Sequence, residues 1–198
     1  LRLFSYIKGK KYDLFIGDLL TWVGFITGVP TLYPTDDVLK QVPEQSIFLL
    51  PATHPIAPKI TNLNFFNKKT IKYKGYKALA HLHPNHFVAD ESKIDKIFQG
   101  TPFFLIRCTG FFATHDIGKS GISNELLCKI VEILNTKGKI IITSERELPE
   151  EFKKFVYPIN KNDIAHYIYF AQMFISDSTT MSTESAVLGT PSVEYDDY

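Results

Sequence analysis

Cysteine, tryptophan, net charge and long unbroken apolar runs are all scarce in this 198-residue chain. The two cysteines, Cys108 and Cys128, have the spacing of neither a metal-ligand set nor a redox pair. Both read as buried thiols in a reducing compartment, so a cytoplasmic location is expected. Lys and Arg number 22 against 21 Asp and Glu, a net charge of +1. No global field therefore draws the chain to nucleic acid or to an anionic membrane. The stretch from Leu14 to Tyr33 carries Asp18 as its one charge and is nearly long enough to cross a bilayer. Gly17, Gly28 and Pro30 divide it, however. It reads instead as a strand over Asp13 to Gly17, a helix over Leu19 to Thr27 and a strand over Pro30 to Tyr33, a βαβ unit buried on both faces. No transmembrane segment is expected. No signal-peptide pattern opens the chain, whose first residues, Leu1-Arg-Leu-Phe-Ser-Tyr-Ile-Lys, have the character of the middle of an amphipathic helix. Internal repeats and low-complexity tracts are also missing.

What the chain has is an alternation of short apolar strands with helices, the pattern of parallel sheets under helical cover. Its 44% hydrophobic fraction is that of a soluble globular protein, and its length permits one domain or two. The first half adds strands over Ser46 to Leu50 and near Pro55 to Pro58. The second half predicts strands over Phe103 to Cys108, Lys139 to Ser144 and Phe155 to Pro158, with helices over Ser123 to Asn135 and Asp163 to Gln172. Lys69 to Pro102, rich in Lys, His, Tyr and Pro, has no strong period and reads as a connection between two domains.

The most specific segment lies in the last quarter. A strand over Met173 to Ile175 runs into a hydroxyl-rich turn over Ser176 to Thr180, a helix over about Met181 to Leu188, a glycine stop at Gly189 and a further strand from near Pro191. Such a turn aims backbone amides and up to four hydroxyls at a helix N-terminus, where the macrodipole favours an anion such as phosphate. Glu184 follows Thr180 by four positions on the same helix face, and its carboxylate can accept two hydroxyl hydrogen bonds from a sugar or ribose. Ordinary helix capping is the competing explanation of Ser, Thr and Asp here. A capping box, however, needs Ser, Thr, Asp or Asn three residues before Glu184, where Met181 stands.

Asp177-Ser-Thr-Thr-Met-Ser-Thr-Glu184, followed by Leu188-Gly-Thr-Pro191, resembles the nucleotide-sugar signature of the GT-B superfamily. UDP-N-acetylglucosamine 2-epimerases of that superfamily carry Asp-Ser-Gly-Gly-x-x-Glu-Glu and a later Leu-Gly-x-Pro. The chain is closer still to an uncharacterised prokaryotic family of predicted GT-B proteins. That family shows Asp-Ser-x-Thr-Met-x-x-Glu-Ala, a Tyr-Lys-Gly-Tyr-Lys-Glu-Leu-Ala-Tyr-Leu-His-Pro block and an Asp-x-Gly-x-x-Gly-Ile block. Here the latter two are Tyr73-Lys-Gly-Tyr-Lys-Ala-Leu-Ala-His-Leu-His-Pro84 and His115-Asp-Ile-Gly-Lys-Ser-Gly-Ile122, in the same order. The resemblance implies an α/β, GT-B-like protein of two Rossmann-like parallel-sheet domains, truncated at both ends. Residues 1–72 would be the later part of the N-terminal domain, 73–102 the interdomain connection and 103–198 the C-terminal nucleotide-sugar-binding domain. Ser178, Thr179 and Thr180 would face the nucleotide diphosphate, and Glu184 would hold the ribose hydroxyls. Thr179 and Thr180 stand where the epimerases have glycines, which implies a hydroxyl-mediated or a weaker phosphate contact.

Other constellations carry chemistry. Thr114-His115 resembles an epimerase Thr-x-His-Arg element, with Asp116 in place of the arginine. A histidine beside a carboxylate suits general acid/base work. Asp18 and the Asp36-Asp37 pair fall at carboxyl ends of expected parallel strands, the edge where α/β proteins bind ligands, although each is also an ordinary helix cap. We take His115, Asp116 and Asp18 as catalytic candidates. His81, His83 and His86 are close in sequence, but Pro84 interrupts them and no metal is expected. Interdomain packing or cleft lining is the expected role of that block; its Lys74 and Lys77, either side of Gly75, meet a phosphate or substrate carboxylate or else form a solvated interdomain face, and His166 and Asn162 are expected in interdomain or capping roles.

The expected function is that of a nucleotide-sugar-dependent glycosyltransferase, its donor UDP-linked and its acceptor unknown. The alternatives are a UDP-N-acetylglucosamine 2-epimerase-like enzyme and a non-catalytic module that binds a sugar nucleotide or a protein. No cofactor is expected beyond the nucleotide sugar as substrate, no nucleic-acid partner is expected, and a homodimer is an allowed assembly.

Overall fold

A computed structural model describes residues 2–7, 9–110 and 121–196. The chain divides into two compact units, residues 1–77 and 78–198. The first holds α1 (Arg2–Ile7), β1 (Phe15–Ile16), α2 (Asp18–Thr27), β2 (Thr31–Pro34), α3 (Ser46–Leu49), β3 (His54–Pro58) and β4 (Ile71–Tyr73). The second holds α4 (Leu79–Leu82), β5 (Phe103–Cys108), α5 (Asn124–Asn135), β6 (Lys139–Ser144), α6 (Glu150–Lys153), α7 (Ile164–Phe170), β7 (Met173–Ser176), α8 (Thr179–Leu188) and β8 (Ser192–Glu194). Each unit carries one four-stranded, wholly parallel sheet, in the order β1-β2-β3-β4 and β6-β5-β7-β8 respectively.

The second sheet is built by strict alternation. Phe104, Ile106 and Cys108 of β5, with Ile140 and Ile142 of β6 and Ile175 of β7, face the cluster formed with Leu127, Val131 and Leu134 of α5 and Phe152 of α6. Their neighbours Phe103, Leu105, Ile141 and Phe174 point the other way, onto Tyr167 and Ile168 of α7 and onto Ile94 and Phe98. Both faces are covered, which is why these strands read as unbroken apolar runs. Ser123 caps α5 by accepting the Leu126 amide at 3.1 Å. Asp95 ties the α7 face together, its Oδ2 accepting from the Tyr157 and Tyr167 hydroxyls at 2.6 and 2.9 Å. These hydrogen bonds hold the Asp95 carboxyl below its usual range, while burial above all pushes the Tyr167 phenol up to about 12.

In the first unit the structure departs from expectation. Ser46 to Leu49 is a helical turn rather than a strand, following a 3₁₀ turn opened by Pro43, and it buries Leu49 fully. A four-residue apolar run has no period that separates the two states. The βαβ unit over β1, α2 and β2 is not buried on both faces. α2 turns Thr21, Val23 and Gly24 inward and leaves Leu19, Trp22, Phe25 and Ile26 exposed. β1 pairs over only two residues and with a single neighbour, so it presents little surface for the helix to cover. Residues 71–73, within the stretch taken as a connection, form β4 against β3. In the second unit, Phe155 to Pro158 contributes only a bridge from Val156 to Ile142, since Pro158 has no amide to extend it. Cys108 is buried as expected, whereas Cys128 is only partly so. No helix among the described residues is long and apolar enough to cross a membrane.

α3 is closed by a lysine from a later segment. Lys69 Nζ donates to the carbonyls of Leu49, Leu50 and Ala52 at 2.6, 3.1 and 2.7 Å, satisfying the helix C-terminus at the favoured end of its dipole. Lys69→Met keeps the aliphatic stem and removes the three donors, so it should lower stability by about 2 kcal/mol, readable as a fall in the urea midpoint at unchanged slope.

Candidate functional site

The carboxyl edge of the second sheet carries the site, and Asp177 organises it. This nearly buried residue follows β7, and its Oδ1 accepts the Thr109 amide at 2.7 Å and the Thr109 hydroxyl at 3.0 Å, while its Oδ2 accepts the Ile122 amide at 3.1 Å. One carboxylate thus fixes the end of β5, the entry to α5 and the start of the turn before α8. Ser176 is fully buried and its Oγ accepts the Ser178 amide at 2.8 Å. Its hydroxyl shapes the turn and does not face solvent, which corrects the expectation of four ligand-facing hydroxyls.

Ser178 is the N-cap of α8, with its Oγ 3.5 Å from the Met181 amide it accepts. Capping by Ser178 thus accounts for Met181 and leaves Glu184 outside the capping box. The helix begins two residues earlier than the apolar pattern indicates, so Thr179 and Thr180 form its first turn, both exposed. Among the described residues no acceptor meets the amides of Thr179 and Thr180. Two orphan donors, two exposed hydroxyls and the positive end of a ten-residue helix coincide there. At the other end Gly189 closes the helix in the left-handed conformation, φ 83°. Ser185 Oγ donates to the Thr190 carbonyl at 3.2 Å, and Thr190 Oγ1 to the Ile168 carbonyl at 2.8 Å. The Leu188 to Pro191 part of the signature therefore serves to lock α8 against α7.

Beside this N-terminus lies a cavity of about 420 Å³. Its walls are Arg107 near the end of β5, Thr143 to Glu145 at the end of β6, Val156 to Ile159, and Met181 from the first turn of α8. Arg107 is held by an ion pair between its guanidinium and Glu145 Oε1, and Glu145 Oε2 accepts the Gly110 amide at 3.2 Å. Glu184 stands one turn beyond Met181 and is partly exposed, with its Oε1 3.2 Å from His81 Nε2 of α4. Anion-favouring amides, cavity wall and a carboxylate engaged through one oxygen thus follow one another along a single helix. Cys108 is fully buried, and burial first and then the neighbouring Asp177 push its thiol up, away from the reactive thiolate.

The other candidates have surroundings of their own. Asp18 belongs to the first unit, where it opens α2 at the carboxyl end of β1, exposed, its carbonyl accepting the Thr21 hydroxyl at 2.7 Å. Asp36 pairs with Lys77 at 3.2 Å on the surface of the same unit. His83 Nδ1 accepts the Asn85 amide at 3.1 Å and His166 Nδ1 accepts the Asp90 amide at 3.0 Å, both local structural roles. No group of three or more His, Cys, Asp or Glu among the described residues could hold a metal ion. His115 and Asp116 lie outside the described residues. Sequence reading gave Arg107 no role; it placed Asp177 as the first residue of the signature and His81 in a block expected to pack or line a cleft, without pairing either with the residues it meets here.

A family model described as "Protein of unknown function (DUF354)" matches residues 19–196. Among solved structures, the chain is similar to UDP-N-acetylglucosamine 2-epimerase from Rickettsia bellii, with 18% identity and a TM-score of 0.63 over 96% of this chain and 58% of that one. It is similar also to UDP-GlcNAc 2-epimerase from Neisseria meningitidis bound to UDP-GlcNAc, with 16% identity and a TM-score of 0.69 over 100% of this chain and 63% of that one. A third likeness is to the glycotransferase of kitacinnamycin, with 11% identity and a TM-score of 0.53 over 100% and 60%. The chain matches none of the curated proteins compared with it. These likenesses establish a GT-B-like α/β fold, of which the chain spans about 60% of the length of the structures it matches.

Proposed function

The chain belongs to the DUF354 family, and from that premise we propose that it binds a nucleotide-activated sugar, UDP-linked, at α8 and acts as a glycosyltransferase. The observation that carries the reading is the sequence of features along α8: the unengaged Thr179 and Thr180 amides at its start, Met181 in the cavity wall, and Glu184 one turn on. In this reading the base occupies the cavity, the diphosphate meets the helix N-terminus and Glu184 accepts the ribose hydroxyls. The same amides would stabilise the diphosphate as it leaves, because they are already aimed at the developing charge. Deprotonation of the acceptor falls to His115 with Asp116, and Asp18 is the other carboxylate candidate. The likeness to 2-epimerases supports a second reading, in which the sugar is rearranged without an acceptor.

The test is thermal. UDP or UDP-N-acetylglucosamine at about 100 times its Kd should stabilise the protein by about 2.7 kcal/mol, a rise of about 5 to 10 °C in Tm for a chain of this length. GDP and dTDP sugars should give less, and Glu184→Ala should abolish most of the rise while leaving the unliganded Tm within a degree or two. No shift with any nucleotide would remove the reading. Turnover of UDP-N-acetylglucosamine in the absence of any acceptor would transfer the assignment to an epimerase.

A further inference from the structure

We infer that His81 is a positioning residue for the nucleotide site, holding Glu184 in the orientation that presents its second oxygen to the ligand; this rests on the nucleotide reading of α8. A carboxylate can only accept, so the 3.2 Å approach of His81 Nε2 to Glu184 Oε1 is favourable when that nitrogen carries its hydrogen. That leaves Glu184 Oε2 free for a hydroxyl of the ligand. His81 differs in this from His83 and His166, whose Nδ1 atoms accept amides of their own surroundings. Its side chain is 58% exposed against 17% for Glu184, so it contributes little to packing, and an ion pair this open adds little to folding stability. What it can do is remove rotamer freedom from Glu184 before the ligand arrives, so that less ordering is left for the binding step.

The probe is UDP, titrated by calorimetry against wild type, His81→Ala, His81→Tyr, His81→Gln, Glu184→Ala and the double variant His81→Ala with Glu184→Ala. His81→Ala should weaken binding about tenfold at unchanged Tm. His81→Tyr or His81→Gln should recover most of that loss, since each restores a donor. In the Glu184→Ala background, removing His81 should change Kd by less than about twofold, because the two act through one interaction. Wild-type affinity in His81→Ala, beside lost affinity in Glu184→Ala, overturns the positioning role and leaves the nucleotide reading intact. An additive loss in the double variant likewise overturns it, since His81 would then act independently. Absence of UDP binding by the wild type overturns the nucleotide reading, and this inference with it.

Discussion

Replacing Gly24 by Ala is expected to unfold the first unit at markedly lower denaturant, with a loss of about 3 kcal/mol or more from overpacking. On propensity alone the change should help, because Ala exceeds Gly inside a helix by about 1 kcal/mol. Contact decides otherwise. A Cβ at position 24 would lie 2.0 Å from Thr31 Cγ2 and 2.5 Å from the Val29 carbonyl oxygen. Neither neighbour can yield cheaply. Val29 offers backbone, and Thr31 is fully buried with its Oγ1 accepting the Thr53 amide at 2.9 Å, so turning it aside breaks that partly buried hydrogen bond. α2 would have to move off β2, the strand that joins β1 to β3. Trp22 is the single tryptophan and sits on the same helix, so its fluorescence in a urea titration reports this unit directly. A Gly24→Ala midpoint at or above the wild-type value would mean that α2 is not packed on β2 as described.

The second large effect belongs to Asp177. Asp177→Ala should destabilise the second unit by about 3 to 5 kcal/mol, since three donors lose a charged acceptor and two of them are backbone amides in a part of the fold with few alternatives. Asp177→Asn is nearly isosteric yet should still lose much of this, because one of its two terminal atoms becomes a donor facing donors. Calorimetric unfolding of the three proteins checks the order wild type, Asn, Ala. The order also separates structure from ligand binding. A residue serving only the nucleotide would leave the unliganded Tm unchanged, as Glu184→Ala is expected to do.

The second sheet was legible almost to the residue, because β5, β6 and β7 are covered on both faces and their burial writes itself into continuous apolar sequence. The first sheet was not. β4 is a three-residue edge strand whose central Lys72 sends its ammonium to the Thr61 carbonyl, so nothing in Ile-Lys-Tyr announces it. α3 was hidden by its brevity, and the exposed side of α2 by an apolar composition that runs all round the helix. At the candidate site, local chemistry was readable: a turn, a cap and a glutamate one turn along α8. The anchoring role of Asp177 was not, because its partners Thr109 and Ile122 lie 68 and 55 residues away. The partnership of Glu184 with His81 was hidden for the same reason. The cavity was beyond sequence entirely, being assembled from the ends of β5 and β6 and from Val156 to Ile159.

The order β6-β5-β7-β8 also sets a schedule for synthesis. β5 leaves the ribosome before either of its flanking strands, and Phe104 must wait for Met173 to emerge before that edge can close. Until then the nascent chain exposes the most apolar strand of the unit with one side unpaired, an edge of the kind that recruits other chains. β7 is followed directly by Asp177, whose carboxylate ties the end of β5 to the entry of α5. The residue that opens the signature ahead of α8 is thus also the latch that ends the nascent chain's most vulnerable interval.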